Sequence, residues 1–211
     1  MILIKRTFTL LTLVIFGAYG SLLAQSNTEG LFLNIGIASS SHSSDLRVEN
    51  TNLDVFDGDR GAGLNLKAGY GFSPLFTLYV GYHIAGMERD GTDIPFWNGD
   101  DEYALSLFEL GGRFTFLDNN SSFRPYADVA LSSVVAVFDD DPETSAKGGA
   151  ISLGGGAQYF INEIFAVDAN LMLSPGAFND VVFFDNDAGV DDDKGFFITR
   201  LSLGLNVYPF Q

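Results

Sequence analysis

The sequence contains no cysteine. A disulfide framework and thiolate metal sites are therefore excluded, and nothing conflicts with export to an oxidising compartment. Positive charge is scarce: 11 Lys and Arg stand against 27 Asp and Glu, a net charge of −16. Nucleic acid is thereby excluded as a partner, because basic residues carry affinity for phosphate backbones. There are only 2 histidines, which leaves little for acid–base chemistry. Beyond the first 25 residues no apolar run approaches the ~18 residues of a transmembrane helix. No internal repeat or linker interrupts the 211 residues, so a single domain is expected.

The N-terminal "MILIKRTFTLLTLVIFGAYGSLLAQ" has the layout of a secretory signal. Lys5 and Arg6 form a positive start, Thr7 to Tyr19 an apolar stretch too short for a span of about 20 residues, and Leu22-Leu23-Ala24 a cleavage site. Residues 1–24 are expected to be a cleaved signal peptide and 25–211 the mature domain. Losing Lys5 and Arg6 leaves 9 basic against 27 acidic residues, a net charge of −18.

From Gly30 onward, segments that are apolar at every second position alternate with turn-rich segments, and none has a helical period. Eight are found: 30–40, 61–72, 75–86, 101–116, 123–138, 148–160, 164–174 and 196–211. In the fourth, Phe108, Leu110, Phe114 and Phe116 share one face while Leu105 and Leu107 lie on the other, which a bulge or an inward pair would reconcile. Short connections follow the second, fourth and sixth segments. Long ones cover about 41–60, 87–101, 139–147 and 175–195. Short and long alternation predicts an all-β protein: an eight-stranded antiparallel transmembrane β-barrel with short periplasmic turns and four long acidic extracellular loops. The competing fold is a soluble lipocalin-like barrel, with the apolar face inside and the polar face in water.

The polar faces favour the membrane reading. They carry Lys67, Glu109, Arg113, Arg124, Asp128, Asp168 and Arg200, four cations against three anions, together with Asn34, His83, Asn170, Asn206 and repeated glycines. Charges so nearly balanced suit an internal network, and an eight-stranded barrel is just wide enough for side chains to fill it. Arg200 is expected to meet Asp168 on the neighbouring strand, with Glu109, Arg113, Arg124 and Asp128 further round. A side-chain plug is expected in preference to a pore.

Over about Gly30 to Phe210 the chain resembles eight-stranded outer-membrane proteins of the OmpA/OmpX/OmpW type, often described as porin-family or outer-membrane β-barrel domains. The resemblance implies the outer membrane of a Gram-negative cell, contact with lipid and lipopolysaccharide, and assembly machinery that reads a C-terminal strand ending in Phe. Here that strand ends in Tyr208 and Phe210, but Gln211 follows, and Pro209 shifts Phe210 off the parity of Leu201 to Val207. A monomer is expected; the extracellular ligand is not indicated.

Of the 27 acids, 21 lie in or beside the long connections. The simplest reading is solvation and repulsion. A sharper one places calcium at Asp185, Asp187, Asp191 and Asp193 in "DNDAGVDDD", since calcium takes six to eight oxygens; otherwise no cofactor is expected. The apolar patches Ile94 to Trp97 and Val181 to Phe184 are expected to pack over the barrel mouth. Tyr70, Tyr79, Tyr82, Tyr159 and Tyr208 are candidates for interfacial girdles. His42, among serines at the start of the first loop, is the one candidate for lipid A modification, a role that the resemblance makes conceivable. Three functions follow in order of preference: structural or adhesive display of the loops by a non-enzymatic barrel, a narrow channel for small polar solutes or ions, and a lipid-modifying enzyme.

Overall fold

The structure is a computed structural model that describes residues 28–45, 56, 58–89, 102–116, 121–138, 144–183, 186–187 and 195–209. The expected signal peptide lies outside them. Eight long strands form the molecule: β1 (Gly30–Ser44), β2 (Asp59–Ser73), β3 (Phe76–Glu88), β4 (Glu102–Thr115), β5 (Phe123–Phe138), β6 (Thr144–Phe160), β7 (Phe165–Phe183) and β9 (Gly195–Val207). A two-residue β8 (Asn186–Asp187) pairs only with β7. Every neighbour is antiparallel, and β9 pairs with both β7 and β1, so the sheet closes on itself. Closure removes the edges whose unpaired backbone groups hydrocarbon would not tolerate.

Period-two alternation sets each strand's two faces. On β1, Leu33, Ile35 and Ile37 point outward while Phe32, Asn34 and Ser40 point inward. The outer wall exposes hydrocarbon, with Ile37 at 65 % and Leu131 at 66 %, whereas Glu109, Arg124 and His83 are wholly buried. Water would penalise both halves of that arrangement, so the lipocalin alternative falls; a bilayer accommodates it. The short turns lie at one end. Pro74 and Leu75 join β2 to β3, and between β6 and β7 the Asn162 side chain accepts hydrogen bonds from the backbone N–H groups of Ile164 (2.9 Å) and Phe165 (2.8 Å).

The strands run further towards the other end than the alternation of oily residues suggests. The long connections shrink to 45–58, 89–101, 139–143 and 184–194, so the third is only a five-residue link. The reason is a change of phase. Within the lipid belt the apolar residues face out. Beyond Ile37, Ile84 and Phe108 the outward positions become Ser39 and Ser41, Glu88, and Ser106 and Glu102. There the inward positions turn apolar: Leu105, Leu107, Val134, Ala136, Phe178 and Ile198 are buried. Leu105 and Leu107 thus point inward, and the pairing of β4 runs without a register shift on either side. A bulge occurs instead on β7, where Asn179 is the extra residue between Phe178 and Asp180. It lets both Phe178 and Val181 face the interior.

Two girdle assignments are corrected. Tyr79 and Tyr208 are interior residues, 2 % and 3 % exposed, because they share the parity of the luminal residues; Tyr70, Tyr82 and Tyr159 remain on the outer wall. His42 is likewise no loop residue. It lies on β1, buried, opposite Asp59.

Candidate functional site in the barrel interior

The interior has two storeys. The one nearer the short turns is polar and brings together six of the seven charges noted in the sequence. Asp128 is its hub. Arg113 grips it with a fork, Nε to Oδ1 at 2.9 Å and Nη2 to Oδ2 at 3.0 Å, and Lys67 Nζ reaches Oδ2 at 3.0 Å from β2. Arg113 Nη1 also donates to Asp168 (3.3 Å), while its guanidinium lies 3.5 Å from the centroid of the Tyr126 ring. Tyr126 returns to Asp168 through its hydroxyl at 2.9 Å, and Asn206 donates to the same carboxylate at 3.2 Å. Arg200 spans the lumen from β9 to Glu109 on β4. On β7 the residue opposite Arg200 is Met172, and Asp168 lies opposite Gly204, so the pairing expected from neighbouring strands is replaced by one across the barrel.

Three cations and three anions make this group neutral. Arg124 sits nearer the short-turn end: Nη1 donates to Thr28 Oγ1 (3.1 Å), Nε to the Ser121 carbonyl (3.3 Å), and the guanidinium lies 5.3 Å from the Phe160 ring centroid. The rings of Phe32, Tyr208 and Phe160 stack beside it and floor the lumen. Small residues make room for these tall ones. A Cβ on Gly111 would stand 2.6 Å from the Tyr79 ring, and one on Gly156 would stand 2.7 Å from the Tyr126 hydroxyl.

Hydroxyls mark the boundary between storeys. Ser132, Ser152 and Ser174 form a chain at 2.6 and 2.7 Å, and Ser40 Oγ lies 3.0 Å from His83 Nε2. The last is a hydroxyl–imidazole pair, yet His83 Nδ1 has no partner among the described residues.

The storey nearer the long loops is an apolar core of the kind found in soluble proteins, with one polar insertion. Tyr103 donates to Asp59 Oδ2 at 3.0 Å, and His42 Nδ1 lies 2.9 Å from the Tyr103 oxygen. Phe56, Phe178 and Phe196 surround the imidazole at centroid distances of 4.4, 6.0 and 6.0 Å. Sequence reading missed this cluster. The signal was present in the inward parity of Leu105, Leu107, Val134 and Ala136, but the outward face there no longer looked like a membrane strand.

The loop candidates fare differently. Asp185, Asp191 and Asp193 lie outside the described residues, as does the Ile94 to Trp97 patch; Asp187 is described only as part of β8. Among the described residues no group of three or more His, Asp or Glu could hold a metal ion.

The family "Outer membrane protein beta-barrel domain" matches residues 8–194. No curated protein matches by sequence. Among solved structures, the chain is similar to Neisserial surface protein A, with 18 % identity, 85 % of this chain and 97 % of that one covered, and a TM-score of 0.61. It is similar also to OprG from Pseudomonas aeruginosa, with 14 % identity, 87 % and 98 % covered, and a TM-score of 0.52. A third is Ail, the attachment invasion locus protein of Yersinia pestis, with 18 % identity, 84 % and 99 % covered, and a TM-score of 0.50. At these identities the likeness is one of fold.

Proposed function

The chain belongs to the outer membrane protein β-barrel domain family, and from that premise we propose that it is a sealed, non-enzymatic surface barrel whose task is adhesive display of its acidic extracellular loops. The observation that carries this reading is the filled lumen. From the floor of Phe32, Phe160 and Tyr208, through the neutral charge cluster, to the apolar storey, buried side chains follow one another along the interior. A small ion would have to break fully desolvated pairs to pass. Neisserial surface protein A and Ail, the attachment invasion locus protein of Yersinia pestis, share this fold and lend the adhesive half of the proposal its direction. In this view the outer belt meets lipid and lipopolysaccharide, the assembly machinery reads β9, and the barrel works as a monomer.

Conductance tests the seal. The mature chain, refolded and inserted into a planar bilayer, is expected to give no unitary current steps at moderate voltage. Reproducible steps whose size changes in an Asp128→Asn variant would replace this reading with a narrow channel for small ions.

A further inference from the structure

The apolar storey is closed by a ring that belongs to no strand. Phe56, from the β1–β2 connection, is 1 % exposed, and its carbonyl accepts from the Ser44 N–H at 2.9 Å. Its ring lies 4.4 Å from that of His42 and 5.1, 5.8 and 5.9 Å from those of Tyr103, Phe138 and Phe178. Such a ring could be a plain hydrophobic seal. What it covers argues otherwise.

A tyrosine hydroxyl has one proton, and that of Tyr103 is directed at the Asp59 carboxylate, which can only accept. The phenol oxygen must therefore accept from His42, which places the imidazole proton on Nδ1. Nε2 is left as a bare lone pair. It has no partner among the described residues although His42 is wholly buried. A seal would not require a buried acceptor held in one tautomer, and leaving it unmade is unfavourable.

Outside Phe56 there is space. A recess of about 340 Å³ opens at the rim between the ends of β1 and β9, with Ser44, Asp45, Gly195 and Phe196 around it and Phe56 as a wall. The recess is open, with a mixed rim in which Ser43, Ser44 and Asp45 stand beside Phe196 and Phe197, and it adjoins the volume that the Phe56 ring fills.

We propose that this is a binding site for a small neutral aromatic molecule carrying one O–H or N–H donor. The ligand ring replaces Phe56 among Tyr103, Phe138 and Phe178, and its donor meets His42 Nε2. Phe56 is the chain's own stand-in for that ring. Phenol and indole are the simplest members of the class, and toluene is the control that fills the same volume without a donor.

The test uses the mature chain in lipid nanodiscs, with empty nanodiscs subtracting partition into lipid, and titration calorimetry with phenol and toluene. The wild-type protein is expected to bind phenol saturably and about tenfold more tightly than toluene, the worth of one buried hydrogen bond. Phe56→Ala should tighten both ligands. His42→Leu should bring phenol down to the level of toluene while toluene still binds. Should His42→Leu fail to fold, ¹⁵N resonances of the two histidines in the wild-type protein decide: phenol, and not toluene, should shift one Nε2 signal. Absence of saturable binding to the wild-type chain overturns the proposal, even if Phe56→Ala binds, since Phe56 would then be an ordinary seal. A phenol preference that survives His42→Leu overturns it too.

Discussion

Asp128 shows how much one buried carboxylate can organise. It receives both arms of Arg113, the ammonium of Lys67 and a weaker donor from Asn170 at 3.4 Å. Replacing it with Asn keeps the shape and removes the charge, leaving two cations in the lumen without their main counterion. Breaking a buried pair in this way costs roughly 3–5 kcal/mol. Asp128→Asn is therefore expected to lower the unfolding free energy by about that amount in urea titrations of the barrel in lipid vesicles, with a native strand content below the transition. That these residues share the interior was legible in the sequence, because they occupy the parity opposite the oily stripe. Their partners were not. Arg200 reaches Glu109 across the lumen, so the pairing depends on barrel shear and side-chain length, neither of which strand adjacency encodes.

The outward faces of β1, β3 and β4 change solvent part-way along, although Val135 and Val137 on β5 and Phe197 on β9 stay apolar and outward at that end. On β9, Leu201, Leu203 and Leu205 face lipid, while on β1 Ser39 and Ser41 lie beyond the belt and face outward into water. Outward charge should therefore be costly at one height and cheap at another. Leu203→Arg is expected to destabilise by about 2–4 kcal/mol, and Ser41→Arg by no more than about 1 kcal/mol; paired urea titrations in vesicles check both. The same phase change makes the strands longer than their oily stripes. Alternation with a fixed oily face ends where, at Phe108 to Glu102, the oily face moves from the outside to the inside. The eight-strand count survived because each strand still contains one belt-length stretch of unbroken alternation. The aromatic cluster around His42 did not, since it assembles residues from β1, β4, β7, β9 and a loop, brought together only by closure.

At the scale of the whole molecule, closure depends on the last strand. β9 carries the pairing to β1 over Phe196 to Val207 and to β7 over Gly195 to Val207. The intact mature chain, refolded in detergent, is expected to resist SDS and to shift its gel mobility only on boiling. A chain truncated after Leu201 leaves two edges half unpaired and should migrate identically boiled or not. A heat-sensitive shift in the truncated chain would mean that the first half of β9 suffices to close a stable barrel.

The stretch of strand above the belt also has a length. From Ile37 to Ser44 on β1, at about 3.3 Å per residue and a tilt near 40°, the wall rises roughly 15–20 Å. The headgroup layer on each side of a bilayer is only about 5–7 Å deep. The loops thus stand on a rigid parapet whose top clears the lipid surface by roughly the thickness of one further sheet. Because that parapet is packed like a water-soluble protein, its height does not depend on how the membrane thins or undulates beneath it. Under the proposed adhesive function, a large partner would reach the loops without touching, or dehydrating, a single phospholipid.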